Sequence, residues 1–225
     1  MGKLIGILGS TGSGKSRSVK HLDPKTTVVI NCANNKDLPF KGSRTIWNKN
    51  EKNLFFIDNY PDLINMIKGI DSKAPQIKTI ILDDFRYQMS REFFSRAKET
   101  GYGKFTSLAV NFQSILELIN TIRDDITVFA MLHDDDVISD NKIVAKKIKL
   151  VGKLVEDQYN PAELMSILLY AHCSVTKEGA TWSFYTNKTL IDGIEIPAKS
   201  PEGLFELTMP NDLSLVLKAI EEYYN

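Results

Sequence analysis

Eight consecutive residues, Gly9-Ser10-Thr11-Gly12-Ser13-Gly14-Lys15-Ser16, constrain this chain more than any other stretch. They fit the pattern G-x-x-x-x-G-K-[ST] in full. The glycines allow backbone conformations closed to other residues, so successive N–H groups can converge on an anion. An apolar run from Lys3 to Gly9 reads as a buried strand before the loop, and a helix is expected after Gly14, ending before Pro24. That context directs the positive end of the helix at the same anion. Lys15 is then expected to reach the β- and γ-phosphates of a nucleoside triphosphate, and Ser16 to ligate Mg²⁺. Arg17 follows directly and is counted with the loop as a binding candidate.

A Mg²⁺–triphosphate site also needs an acidic residue at a neighbouring strand tip. Thr79-Ile80-Ile81-Leu82-Asp83-Asp84-Phe85 supplies one: the apolar run places Asp83 at the carboxyl end of a strand, where open α/β sheets bind ligands. Asp83 is the expected metal-organising carboxylate. Asp84 is a candidate general base for an attacking water, with solvated neighbour as the plainer reading. Asn31 and Asn34 are weaker, uncharged candidates for positioning that water. A third apolar strand, Thr127–Leu132, ends in His133, placed to sense the terminal phosphate. His21 and His172 take the ordinary structural reading.

Lys+Arg and Asp+Glu both number 28, so the formal net charge of zero argues against a generally basic, nucleic-acid-coating protein. No apolar run approaches the roughly 20 residues that span a bilayer, and the start of the chain does not read as a signal peptide. A cytoplasmic protein without membrane contact is the expectation. Cys32 and Cys173 lie far apart in apolar surroundings and read as two reduced core thiols.

Strands at Thr26–Asn31, Leu54–Ile57, Ile77–Asp83 and Ile126–Leu132 alternate early with helical patterns at 61–68, 86–98 and around Leu108–Ile122. Alternation implies right-handed crossovers and a parallel sheet. Later segments, a hairpin over 137–151 turning near Asp140-Asn141 and paired strands at 164–175 and 181–185, lack intervening helices and are expected to extend the sheet antiparallel. A last helix carries Leu213, Val216, Leu217 and Ile220, with Asn211 or Asp212 as cap. The expected architecture is one α/β domain over residues 1–225.

No guanine signature is present: Asn34-Asn35-Lys36-Asp37 follows the wrong strand, and Asn187-Lys188-Thr189-Leu190 has Leu where Asp is needed. A kinase acting on a small acceptor stays open, although no Arg-rich lid is visible. A non-hydrolysing, ATP-gated assembly factor is the third reading.

At this point the layout resembles the RecA-like P-loop ATPases of bacteriophages, including the Sak-group proteins associated with single-strand annealing and recombination. The resemblance rests on the loop at 9–16, the strand ending in Asp83-Asp84, the strand ending in His133, and the tail Ala198-Lys199-Ser200-Pro201-Glu202-Gly203-Leu204-Phe205. It implies a P-loop NTPase of RecA-like fold: a mostly parallel sheet with helices on both faces and antiparallel C-terminal strands. It also implies ATP and Mg²⁺ as ligands, homo-oligomerisation, a role near single-stranded DNA in phage recombination, annealing or replication, and the host cytoplasm as location. In this fold the His133 strand lies between the phosphate-loop strand and the Asp83 strand. The tail implies that Lys199 reaches a neighbouring subunit's phosphates.

Two segments are candidate DNA surfaces. Within Phe85–Phe105, Tyr87, Arg91, Phe94 and Lys98 share a helical stripe, with Arg86, Arg96, Tyr102 and Lys104 nearby. Within Lys142–Lys153, Lys142, Lys146, Lys147, Lys149 and Lys153 follow a run of aspartates, so the hairpin could equally pair its own charges.

Overall fold

A computed structural model describes residues 3–101, 103–152 and 160–224. Strict alternation of apolar side chains along short strands builds its centre. In β1 (Lys3–Leu8), Leu4 and Leu8 face one layer while Ile5 and Ile7 face the other. The same division runs through β2 (Thr27–Asn31), β4 (Thr79–Asp83) and β5 (Thr127–Leu132), all wholly buried. Strands buried on both faces need cover on both faces. The helices α2 (Tyr60–Lys73), α3 (Tyr87–Ser95) and α4 (Gly103–Ile119) pack on one side through Leu63, Ile67, Met89, Phe112 and Ile115. On the other side lie α5 (Leu213–Tyr224), with Leu213, Val216 and Ile220, and the segment around α1 (Ser43–Ile46), with Leu38 and Trp47. Burying one such large side chain contributes about 1.5–3 kcal/mol.

The remaining strands are β3 (Leu54–Phe56), β6 (Asp134–Ser139), β7 (Lys142–Ile148), β8 (Ile167–Thr176), β9 (Gly179–Tyr185), β10 (Thr189–Ile191), β11 (Ile194–Ile196) and β12 (Thr208–Pro210). The main sheet has eight strands in the order β12-β9-β8-β1-β5-β4-β2-β3. β5 thus separates the phosphate-loop strand from the Asp83 strand, as a RecA-like P-loop fold requires. From β8 to β3 every pairing is parallel, and β9 and β12 close one edge antiparallel.

Three expectations are corrected. First, β8 runs parallel to β1, and only its hairpin partner β9 turns antiparallel. Second, β6 and β7 do not extend the main sheet but join β11 and β10 in a separate four-stranded sheet. Their hairpin turns where expected: Asp140 and Asn141 both have positive φ, 49° and 59°, as a two-residue primed turn demands. Third, Cys173 is only half-buried on β8, whereas Cys32 lies in the core, where burial pushes its thiol up to about 12. Asp212, not Asn211, caps α5, its carboxylate accepting from Ser214 N at 2.9 Å. Among the described residues no helix is long and apolar enough to cross a membrane.

Candidate functional site

The carboxyl ends of β1, β4 and β5 lie side by side, so the chain turns that follow them share one pocket. In the turn after β1, Gly12 and Gly14 adopt φ of +82° and +101°, which L side chains rarely reach. Gly14 is doubly required, because a Cβ there would lie 2.6 Å from the Trp182 ring on β9. Within the loop, Lys15 folds back: its Nζ donates to Gly9 O at 2.6 Å and Ser10 O at 2.9 Å. Lys15 is only 6% exposed, and among the described residues no carboxylate forms an ion pair with it. Burial lowers its pKa, against the pull of Asp84, Asp134 and Asp83.

The helix after the loop differs from expectation. Ser16–His21 is a six-residue 3-10 helix rather than a longer α-helix. Asp23-Pro24 stops it, and Ser18 Oγ bonds back to Lys15 O at 2.5 Å in competition with regular helical bonding. So short a helix has little macrodipole, leaving the loop's own amides and Lys15 as the main anion-directed groups.

Ser16 Oγ donates to Asp83 Oδ1 at 2.7 Å, tying the phosphate loop to the tip of β4. Asp83 is fully buried, with Asn31 Nδ2 3.4 Å from Oδ2. Burial raises its pKa and the adjacent Asp84 charge adds to the rise. Asn31 also shapes the turn after β2, its Oδ1 accepting from Ala33 N at 3.0 Å and Asn34 N at 3.1 Å.

Asp84 takes φ of +55°, a strained conformation for a residue that is not glycine. The neighbouring Phe85 holds it there, buried and stacked on Phe112 with ring centroids 4.6 Å apart. The turn aims the Asp84 carboxylate between two partners: the His133 ring, with Nε2 3.0 Å from Oδ1, and the Lys36 ammonium on Oδ2. Burial acts to raise the Asp84 pKa, but the hydrogen bonds from His133 and Lys36 outweigh it and hold the carboxyl well below its usual range. For Lys36 burial opposes the charge, and the Asp84 bond with the nearby carboxylates overcomes it, raising its pKa.

A cavity of about 450 Å³ opens between these groups. Thr11, Gly12, Lys15 and Ser16 form one wall, Lys36, Asp84 and His133 another. Arg17 and Trp182 also line it, the guanidinium 4.5 Å from the ring centroid, with Trp182 Nε1 donating to Gly12 O at 3.4 Å. The expected loop residues, Asp83, Asp84 and His133 therefore converge. Ser13 Oγ, buried beside Gly9, finds no partner among the described residues.

Two participants escaped sequence reasoning. Lys36 lies in an irregular polar stretch, and only the parallel pairing of β2 with β4 carries it to Asp84. Trp182 belongs to a late antiparallel strand that no short motif connects to the loop. Lys199 does not line this cavity: its backbone exchanges two 2.8 Å bonds with Leu168, and its side chain is exposed. Of the residues proposed for DNA contact, Arg91 donates to Ala33 O and Arg96 is clasped by Glu92 and Glu99. Lys98 lies beyond the end of α3, off the expected stripe. Lys146 and Lys149 pair with Asp136 and Asp135. Tyr102 and Lys153 lie outside the described residues.

The donor set suits a hard cation and a polyphosphate. Ser16 and Asp83 offer a hydroxyl and a carboxylate oxygen side by side, the ligand type Mg²⁺ prefers. Lys15 holds a buried positive charge whose hydrogen-bond partners, among the described residues, are carbonyl oxygens.

The sequence matches no protein-family model and no curated protein. Among solved structures, a KaiC-like protein of the hyperthermophilic archaeon Pyrococcus horikoshii OT3 is similar at 11% identity and a TM-score of 0.44, over 81% of this chain and 76% of that one. The strand order, rather than this distant likeness, ties the sheet to the RecA-like P-loop fold.

Proposed function

We propose that the chain binds Mg-ATP in the 450 Å³ cavity and hydrolyses it. The single observation that carries this reading is the Ser16–Asp83 hydrogen bond, which joins loop hydroxyl and strand-tip carboxylate where a triphosphate-bound metal needs both. Mg²⁺, when bound, would neutralise phosphate charge. Lys15 would leave the Gly9 and Ser10 carbonyls for phosphate oxygens, exchanging neutral acceptors for charged ones. Arg17 and Trp182 offer a flat cation–aromatic surface beside the loop for the base.

Asp84 in its present state is a poor base, because both oxygens are already engaged, one by the His133 ring and the other by the Lys36 ammonium. Lys36 lines the same cavity as Lys15, so a terminal phosphate would compete with Asp84 for its ammonium. Transfer of Lys36 to the phosphate would leave Asp84 Oδ2 free to orient and polarise water, with His133 still fixing Oδ1. Phosphate release measured on wild type, Asp84→Asn and Lys36→Ala tests this. Turnover lost in both, with nucleotide binding kept in Asp84→Asn, fits the reading; unimpaired turnover in Asp84→Asn contradicts it.

The finer proposal is that turnover serves single-stranded DNA transactions of a phage. It is supported by the residues of the resemblance and by the exposed Tyr87 and Phe94 on α3. Turnover measured with and without an unstructured oligonucleotide tests it: stimulation supports the DNA role, and an unchanged rate removes it without touching ATP binding.

A further inference from the structure

Thr11, Tyr87 and His133 line both the 450 Å³ cavity and a second, smaller recess of about 320 Å³. The shared residues make the two spaces neighbours. The Tyr87 and His133 rings meet edge to face, with centroids 6.3 Å apart at 74°. The recess adds side chains that the first cavity lacks, chief among them Arg86 and Lys149.

Arg86 follows the strained turn at Asp84 and the buried anchor Phe85, so its position is set by the same turn that builds the nucleotide cavity. The other arginines are committed. Arg17 lies over the Trp182 ring, Arg44 pairs with Asp37 and Arg91 donates to Ala33 O. Arg96 is held by Glu92 and Glu99, and Arg123 by Asp125. Arg86 is half-buried, yet among the described residues it has no hydrogen bond, ion pair or ring contact. Its Nε is sealed from solvent, so a ligand in the recess meets the terminal nitrogens, the pair that grips an oxyanion through two parallel bonds. A guanidinium keeps its charge at any ordinary pH, and a partly desolvated charge is costly until an opposite one answers it.

The neighbouring groups fit an anion as well. Lys149 is fixed by its backbone N–H, which donates to His133 O at 2.8 Å. Its ammonium pairs with Asp135 at 3.0 Å in a half-solvated contact that an oxyanion can share. Ser10 and Thr11 add exposed hydroxyls. Asp134 also lines the recess, but its charge is answered from within the fold. Its side chain is 5% exposed, accepts from Tyr170 Oη at 2.7 Å and lies 3.7 Å from Lys146 Nζ. Cations and hydroxyl donors around so small a space suit a compact, multiply charged oxyanion; a neutral ligand would leave Arg86 unanswered.

We infer that this recess binds inorganic phosphate through Arg86, assisted by Lys149 and the hydroxyls of Ser10 and Thr11, and that it receives the phosphate split from the nucleotide next door. The second half rests on the hydrolysis proposed above; the first does not. In that reaction a water oxygen bonds to the terminal phosphorus, the bond to the bridging oxygen breaks, ADP keeps that oxygen, and phosphate departs with one proton released to solvent.

Calorimetric titration of inorganic phosphate tests the first half, on the full chain saturated with Mg-ADP and again on nucleotide-free Lys15→Ala. Both backgrounds keep phosphate from the phosphate loop by different means. Saturable binding with Kd below about 10 mM is expected in both. Arg86→Ala and the milder Arg86→Gln, each checked for an unchanged thermal melt, are expected to weaken it at least about tenfold. No saturable binding in either background, or binding that both Arg86 variants leave unchanged, overturns the inference. For the second half, cleavage followed by quenched flow is compared with phosphate release followed by a fluorescent phosphate reporter. Release is expected to lag cleavage in wild type, and the lag to shorten by about threefold or more in Arg86→Ala. No lag in wild type, or a lag that Arg86→Ala leaves unchanged, overturns the product role and assigns the site to phosphate from solution. Absence of cleavage overturns the proposed hydrolysis, and with it the product role, while the titration still decides the site.

Discussion

The strand-tip pocket and the β6–β7 hairpin are both dense in lysine and aspartate, and they use them oppositely. In the pocket, Lys15, Asp83 and Asp84 are each under a tenth exposed, and among the described residues Lys15 bonds only to carbonyl oxygens. On the hairpin, Lys146 meets Asp136 at 2.6 Å and Lys149 meets Asp135 at 3.0 Å, in partly solvated pairs. Surface pairs of that kind contribute at most about 1 kcal/mol. Buried charges held against neutral groups are costly unless a ligand of opposite sign completes them. Charge density alone therefore does not mark a site; burial without full compensation does.

The largest break in this contrast should come from Lys15→Ala. Its affinity for Mg-ATPγS, measured by calorimetry, is expected to fall at least 100-fold, about 2.7 kcal/mol. Its melting temperature should hold or rise, since a desolvated ammonium is removed. A variant that melts far lower with binding intact would make Lys15 structural.

Next in size is Asp84→Asn, expected to lower phosphate release about 10- to 100-fold while leaving Mg-ATPγS affinity within a few-fold. Loss of binding instead would move Asp84 from water positioning to nucleotide holding.

A smaller effect tests the energetic half of the comparison. The folded pKa of Asp83 is raised, so the metal-free protein loses stability as pH rises from the ordinary carboxylate range, about 4, through that raised value. Asp83→Asn removes this loss. At pH 7 without metal it should melt about 2–4 °C above wild type, equivalent to about 1 kcal/mol, and the gap should close toward pH 4. A lower melt at pH 7 would mean that its bonds to Ser16 and Asn31 outweigh the burial cost.

The smallest effect belongs to the hairpin. Lys146→Ala and Lys149→Ala should each move the melting temperature by less than about 2 °C and leave Mg-ATPγS affinity unchanged. A marked loss of affinity in either would join the hairpin to the pocket and end the contrast.

The pocket was legible from sequence where its chemistry is local. The loop at Gly9–Ser16 is contiguous, and apolar runs ending in Asp83 and His133 announce strand tips. Lys36 was not legible, because its meeting with Asp84 depends on which strands become neighbours, and no local pattern encodes that. Trp182 was hidden for the same reason, reaching Gly14 only through the β8–β9 edge. The direction of β8 was misjudged because the lack of a recognisable helical pattern before it was taken to mean a hairpin, whereas parallel pairing needs only that the chain return to the starting end. The 3-10 character of Ser16–His21 lies below what residue periodicity resolves in six residues.

The union of phosphate loop and strand tip through Ser16 and Asp83 is tested most directly by titrating ATPγS into wild type and Asp83→Ala, each with excess Mg²⁺ and with EDTA. Wild type should bind at least tenfold more tightly with Mg²⁺, and Asp83→Ala should show no such gain. A wild type indifferent to Mg²⁺, or a full metal gain retained without Asp83, would contradict the account.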